Sequence, residues 1–259
     1  MLLILFYLWA CITVAVAQVC NGYSELCGRK WSNISQIGTH DSAFVGDLPT
    51  ENQNIDITAQ LNAGVRFLQA QTHYFFGVLR LCHTSCWEKD AGPAVDYLSD
   101  VKKWLDTNPN EVVTLLLTNG DYIPVGNFSA VMEASGLASY AYTPPHKLAI
   151  DEWPTLQEMI ASGDRLVMFI DYGANTNIAP YVLPEFSYFF ETAYDIGSCK
   201  DERSNGLMLL DFFNTGNALA AQNTLNGLPV KKSAGSKFRN TPQWSIFLIV
   251  VFASVYLLP

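Results

Sequence analysis

The stretch IGTHDS, Ile37 to Ser42, places a histidine beside an aspartate directly after an apolar, strand-like run, Ser35–Thr39. Five further runs rich in apolar and β-branched residues follow at Val65–Gln71, Leu79–His83, Val112–Asn119, Leu166–Asp171 and Leu207–Phe213, and their content predicts strands. Helical patterns lie between them. Ala94–Leu105 carries Val95, Leu98, Val101, Trp104 and Leu105 at helical spacing, and Leu156–Ala161 stops at Gly163. Strands alternating with helices in a single domain predict an α/β fold with a parallel sheet, of the (β/α) TIM-type barrel kind. An open doubly wound sheet is the alternative, but no GxGxxG turn follows a strand. In a parallel barrel the strand ends share one face. That face would hold His40 and Asp41 from the first run, then His73, His83, Asn119, Asp121, Asp171 and Asp211.

Working outward, 259 residues suffice for one large core. The net charge of −9 and the lack of a Lys/Arg stripe argue against a nucleic-acid partner. Residues 1–17 read as a signal peptide with cleavage after Ala17, a retained membrane anchor being the alternative. Residues 18–228 form the expected barrel domain, and residues 229–243 a polar stalk with small residues at Ser233, Ala234 and Gly235. The hydrophobic tail 244–259 is shorter than the ~20 residues of a comfortable membrane span and has no basic flank. This order matches a GPI signal with attachment at Ser233, and a tail-anchored helix is the alternative. After removal of Cys11, short spacing predicts the disulfides Cys20–Cys27 and Cys82–Cys86, with Cys199 left over. Asn33 and Asn127 lie in glycosylation sequons. The chain is thus expected in the secretory pathway, at the cell surface and as a monomer.

Trp31, Trp104 and the run FSYFF (residues 186–190) read as core or as cover for it. Trp87 reads as core or as the lip of a lipid or sugar pocket, and His146 as an exposed loop residue.

Two histidines flanking one pocket suit phosphodiester cleavage, because one can take a proton from the attacking hydroxyl while the other gives one to the leaving oxygen. No GxSxG elbow and no HExxH metal motif is present. The segments NISQIGTHDSAFVG, QLNAGVRFLQAQTH, LRLCHTSC, WLDTNPNEVVTLLLTNGD and LVMFIDYGAN, in this order from about Cys20 to Tyr194, resemble the PLC-like phosphodiesterases. That superfamily contains the phosphatidylinositol phospholipase C X domain, and the likeness is strongest to its exported fungal-type branch.

The resemblance implies that His40 is the general base, His83 the general acid and Asp41 the carboxylate that tunes the second histidine, with Asp211 behind the first. It implies no cofactor and no metal, and a phosphodiester lipid or glycerophosphodiester as substrate. Where catalytic bacterial members have Asp-x-Arg, this chain has Gln69 and Gln71. Loss of a cationic phosphate contact can cost ~10³-fold or more, so His73 or Arg80 would have to compensate. Gln69, Gln71, His73, Arg80, Asp171 and Asp211 are the expected substrate-binding set. A weakly active barrel that binds phospho-sugar or lipid head groups is the rival expectation. Between Cys199 and Gly206 the chain is too short for another βα unit, and the strand count falls below the eight of a closed barrel, as in a shortened variant.

Overall fold

The computed structural model describes residues 18–189 and 207–229. The expected signal peptide, Cys199 and its neighbourhood, Ser233 and the hydrophobic tail lie outside the described residues. In chain order the elements are β1 (Gln36–Thr39), α1 (Ile57–Ala63), β2 (Phe67–Ala70), β3 (Thr72–Phe75), β4 (Val78–His83), β5 (Lys89–Pro93) and α2 (Ala94–Thr107). There follow β6 (Val113–Leu117), α3 (Gly126–Ala134), α4 (Leu156–Ser162), β7 (Leu166–Ile170), β8 (Val182–Pro184), β9 (Leu207–Leu210) and α5 (Ala218–Leu225).

Six strands form a parallel sheet in the order β8-β7-β6-β2-β1-β9. Successive parallel strands lie side by side in one direction, and the last strand sits beside the first, which is the winding of a (β/α) barrel rather than of a doubly wound sheet. Among the described residues β8 and β9 are its two edges. The fold is therefore mixed α/β with a central parallel sheet, and among the described residues no strand joins those edges.

Every residue of β2, β6 and β7 is buried, as a parallel sheet covered on both faces requires. One face packs Leu68, Leu115, Leu117, Met168 and Ile170 against Leu61 of α1, Leu98, Val101 and Leu105 of α2 and Phe128 of α3. The other packs Phe67, Leu116, Val167 and Phe169 against Trp31 and Trp153, whose rings lie 4.2 Å apart. Fully burying one such leucine or phenylalanine contributes about 1.5–3 kcal/mol. Gly38 is needed inside β1 because a Cβ there would collide with the Phe67 ring. Helix α1 starts on Asp56, whose side chain accepts from Ala59 N–H at 2.8 Å, and α4 starts on a Thr155/Glu158 capping box.

Leu79–His83 differs from the sequence expectation in not being a strand of the parallel sheet, whereas Val65–Gln71 contains β2, and β8 was not expected. The chain breaks at Gln71, and β3, β4 and β5 form a separate three-stranded antiparallel sheet. β3 and β4 are joined by a two-residue turn, Phe76-Gly77, with both φ angles positive at 48° and 82°, the conformation that gives a tight hairpin. Disulfides Cys20–Cys27 and Cys82–Cys86 are present.

Candidate active site

His40 is the first residue after β1, and Asp211 the first after β9. Because Thr39 and Leu210 are register partners, parallel pairing carries His40 and Asp211 out side by side. The imidazole Nδ1 lies 2.7 Å from Asp211 Oδ1, which also accepts from Asn52 Nδ2 at 3.0 Å. Gln53 Nε2 donates to the His40 and Leu210 carbonyls at 2.7 and 3.0 Å, tying the two strand ends together.

Asp41 is fully buried and has φ of +46°, a left-handed conformation that aspartate tolerates better than most residues. Its N–H donates to Gln69 Oε1 at 2.7 Å. Its carboxylate accepts from Gln71 N–H at 3.0 Å and from Gln71 Nε2 at 2.9 Å. Oδ2 then lies 3.5 Å from His40 Nε2 and 3.6 Å from His83 Nε2. The separation of the two Nε2 atoms cannot exceed the sum of those distances. One phosphodiester, reached by a hydrogen bond of about 2.7–3.0 Å on each side, can span it. Burial pushes the Asp41 carboxyl above the ordinary carboxylate range, with His40, His83 and the Gln71 N–H pulling the other way.

His83 ends β4 and so arrives from the small sheet. Three features hold it: the Cys82–Cys86 bridge, an edge-on contact with the Phe44 ring at 5.4 Å, and Gln71. The Gln71 carbonyl accepts from Cys82 N–H at 3.2 Å and its Oε1 from Thr84 N–H at 2.9 Å. Gln71 thus spends its side chain bracketing His83 to Asp41, a task that uses an amide's donor and acceptor together. Beside the pair opens a cleft of about 490 Å³ lined by His83, Asp211, Asn52, Glu51 and the loop from Asp47 to Pro49.

The structure therefore brings His40, Asp41, His83 and Asp211 together, sets Gln69 and Gln71 against Asp41, and places His73, Arg80 and Asp171 outside the cluster. Gln69, 4 % exposed, and Gln71 support Asp41 rather than face the cleft. His73 pairs with Asp121 at 2.9 Å and Arg80 with Asp90 at 2.8 Å, so both side chains are engaged by carboxylates outside the cluster. Asp171 accepts from the N–H groups of Asn119 and Tyr172 at 2.6 and 2.7 Å and shapes the loops after β6 and β7. Trp87, 80 % exposed, does not line the cleft. It stands against Phe75 at 5.1 Å and Phe76 at 6.3 Å, at the hairpin tip. Asn52, Gln53 and Glu51 were not singled out from the sequence, where the run ENQN gives no more than a polar loop. Among the described residues no group of three or more His, Cys, Asp or Glu side chains is placed to hold a metal ion.

The family model for the PI-PLC X domain matches residues 26–202. A PI-PLC X domain-containing protein 1 of the fungus Arthroderma benhamiae is 48 % identical over 195 residues, 73 % of this chain and 64 % of that protein. A protein of the same fungus named as an uncharacterized secreted protein is 48 % identical over 178 residues, 68 % of this chain and 40 % of its own length. A PI-PLC X domain-containing protein of Arabidopsis thaliana is 29 % identical over 183 residues, 63 % of this chain and 42 % of that one. The chain thus spans less than two thirds of the length of these relatives. Among solved structures, a Staphylococcus aureus phosphatidylinositol-specific phospholipase C superposes with a TM-score of 0.49 at 18 % identity, covering 70 % of this chain and 60 % of the other. On the extent of the family match, this chain belongs to the PI-PLC X domain family.

Proposed function

We propose that this protein cleaves a phosphodiester by acid/base catalysis between His40 and His83. The observation that carries the reading is the buried Asp41 carboxylate, within 3.6 Å of both Nε2 atoms, with Asp211 behind His40. Asp211 accepts the Nδ1 proton and so leaves His40 Nε2 to take the proton of an attacking hydroxyl as the new P–O bond forms. His83 gives a proton to the departing oxygen as the old P–O bond breaks. Asp41 positions both rings. The substrate class is a phosphoinositide, a glycosylphosphoinositol or a glycerophosphodiester, in line with the phospholipase family of the domain.

Two disulfides and the secreted relative support export. We place the domain at residues 18–228, behind a leader at 1–17 and before a stalk and a GPI signal that attaches at Ser233. Asn33 and Asn127 carry glycans in this reading.

A second reading, a head-group-binding barrel without turnover, is favoured by Gln69 and Gln71, which carry no charge and are engaged in supporting Asp41. The two readings separate on turnover of phosphatidylinositol and glycerophosphoinositol by purified wild type, His40→Ala and His83→Ala, each with and without chelator. Chelator-resistant turnover lost in both variants is the expected result. A folded wild type that turns over neither substrate, yet binds inositol phosphate, leaves the binding reading.

A further inference from the structure

The site has two histidines and, where catalytic bacterial members of the superfamily carry Asp-x-Arg, two amides. A phosphodiester entering the cleft meets the carboxylates of Asp47, Glu51 and Asp211 on its walls and Asp41 behind the imidazoles. Anion on anion is repulsive at these distances, so the location of positive charge decides whether a phosphate is held.

The two side chains expected to compensate are occupied elsewhere. His73 and Arg80 are tied to Asp121 and Asp90. Arg66 and Arg165 precede β2 and β7 and so lie at the opposite ends of the parallel strands, where Arg66 pairs with Glu111 and Arg165 donates to backbone carbonyls. Lys89 is placed differently. It is the register partner of His83 across β4 and β5, and directly opposed residues of an antiparallel pair project from the same face with Cβ atoms about 4.5–5.5 Å apart. Its ammonium forms an ion pair with Glu51, which lines the same cleft as His83. Lys89 therefore stands beside one cleft residue and touches another.

Glu51 is held firmly enough to act as a parking place. Its Oε2 accepts from Leu48 N–H at 2.7 Å. Gly46 approaches so closely that a Cβ there would collide with that oxygen. The carboxylate is thus fixed by its own loop, while the lysine reaches across from the other sheet on a stem of four methylenes and can turn.

We infer that Lys89 is the phosphate-binding cation of this cleft, held on Glu51 in the free protein and transferred to the phosphate when substrate enters. Glu51 is then a positioning residue that keeps the ammonium at the cleft and competes with the incoming anion. The inference rests on the proposed phosphodiester site, and it makes the two partners of one ion pair act in opposite directions, which a purely structural bridge does not.

The experiment is a titration of the full chain with inorganic phosphate at fixed ionic strength, followed through the ring signals of its four histidines, for wild type, Lys89→Met, Lys89→Arg and Glu51→Gln. Lys89→Met is expected to weaken binding about 10- to 100-fold, the loss of one charge-assisted contact. Lys89→Arg keeps the charge, controls for folding, and is expected to bind. Glu51→Gln retains an acceptor for Leu48 N–H, frees the lysine, and is expected to bind phosphate more tightly than wild type. Equal weakening by Lys89→Met and Glu51→Gln would make the pair structural and overturn the inference. So would unchanged binding by Lys89→Met, or no phosphate response of His40 and His83 in either wild type or Glu51→Gln. The expected pattern in a chain that cleaves no phosphodiester would retain Lys89 as the phosphate cation and remove the enzymatic reading alone.

Discussion

Replacing Asp211 by asparagine isolates the charge behind His40, because the new side chain has the same shape. Asp211 Oδ1 accepts from both His40 Nδ1 and Asn52 Nδ2. Asn52 Nδ2 can only donate there, so it keeps the carbonyl of the introduced amide, not its nitrogen, turned toward the imidazole. The tautomer of His40 is preserved and only charge assistance is lost. Hydrogen bonds to charged groups contribute about 1.5–3 kcal/mol. A neutral hydrogen bond retains about 0.5–1.5 kcal/mol of this, and Asp211 is 24 % exposed, so with screening the loss is about 1 kcal/mol, which is about fivefold in kcat. Adding Asn52→Ala removes the donor that orients the amide. The amide nitrogen can then face Nδ1, impose the wrong tautomer and drive the loss toward ~10⁴-fold, the magnitude known for that error in serine proteases. The assay is the initial rate of phosphatidylinositol cleavage in mixed micelles at saturating substrate, with the fold of each variant checked by circular dichroism. Asp211→Asn within twofold of wild type, or a double variant no slower than the single one, would refute the role assigned to Asp211 and the orienting role of Asn52.

Gln69→Leu leaves the buried Asp41 N–H without its acceptor and is expected to destabilise the protein by about 1–3 kcal/mol, read as a lower urea midpoint at unchanged m-value. Asp171 is raised above its ordinary 3.8 by burial, against the N–H groups of Asn119 and Tyr172. A carboxyl raised on folding contributes stability below its unfolded pKa and loses it as pH rises through the folded value. Asp171→Asn should therefore gain on wild type as pH rises from about 3.5 to 7 in urea melts, and a constant difference would sink that account. Cys82→Ser/Cys86→Ser opens a loop of sequence separation 4. A cost of about 2 kcal/mol is expected, with a fall in kcat as His83 loosens, measured on the double variant beside wild type.

Most of the central sheet was legible because strands buried on both faces, such as VTLLL (113–117) and LVMFI (166–170), are written as almost wholly apolar runs, whereas β8, only VLP, was too short to stand out. The small sheet was not. β5 is KDAGP, with no β-branched or aromatic residue, and the hairpin turn begins with Phe76, where the usual Asn or Asp signal is missing. Helices α1, α3 and α5 were not read from the sequence, whereas the equally short α4 was, because Gly163 marks its end. Of the site, His40 and Asp211 could be placed from strand ends alone. His83 was assigned to the wrong sheet, yet it reaches the cluster because β4 runs back toward Gln71. The supporting work of Gln69 and Gln71 was invisible, since a polar side chain inside a strand reads equally as a ligand contact or as a buried bracket until its partners are known.

The two imidazoles belong to different sheets, and this division sets how the protein should fail on warming. His40 is anchored on six parallel strands with a helix-covered core, while His83 rides on three short strands whose outer members are partly exposed and whose tip, at Phe76, is 82 % in solvent. Sparse burial makes a segment open locally before the molecule unfolds as a whole. Amides of Val78–His83 should accordingly exchange with deuterium faster than those of Val113–Leu117. The temperature at which the two imidazoles part is then governed by the docking of the smaller sheet rather than by the melting of the larger one, and a change that stiffens the small sheet alone would keep the pair together to higher temperature without touching the core.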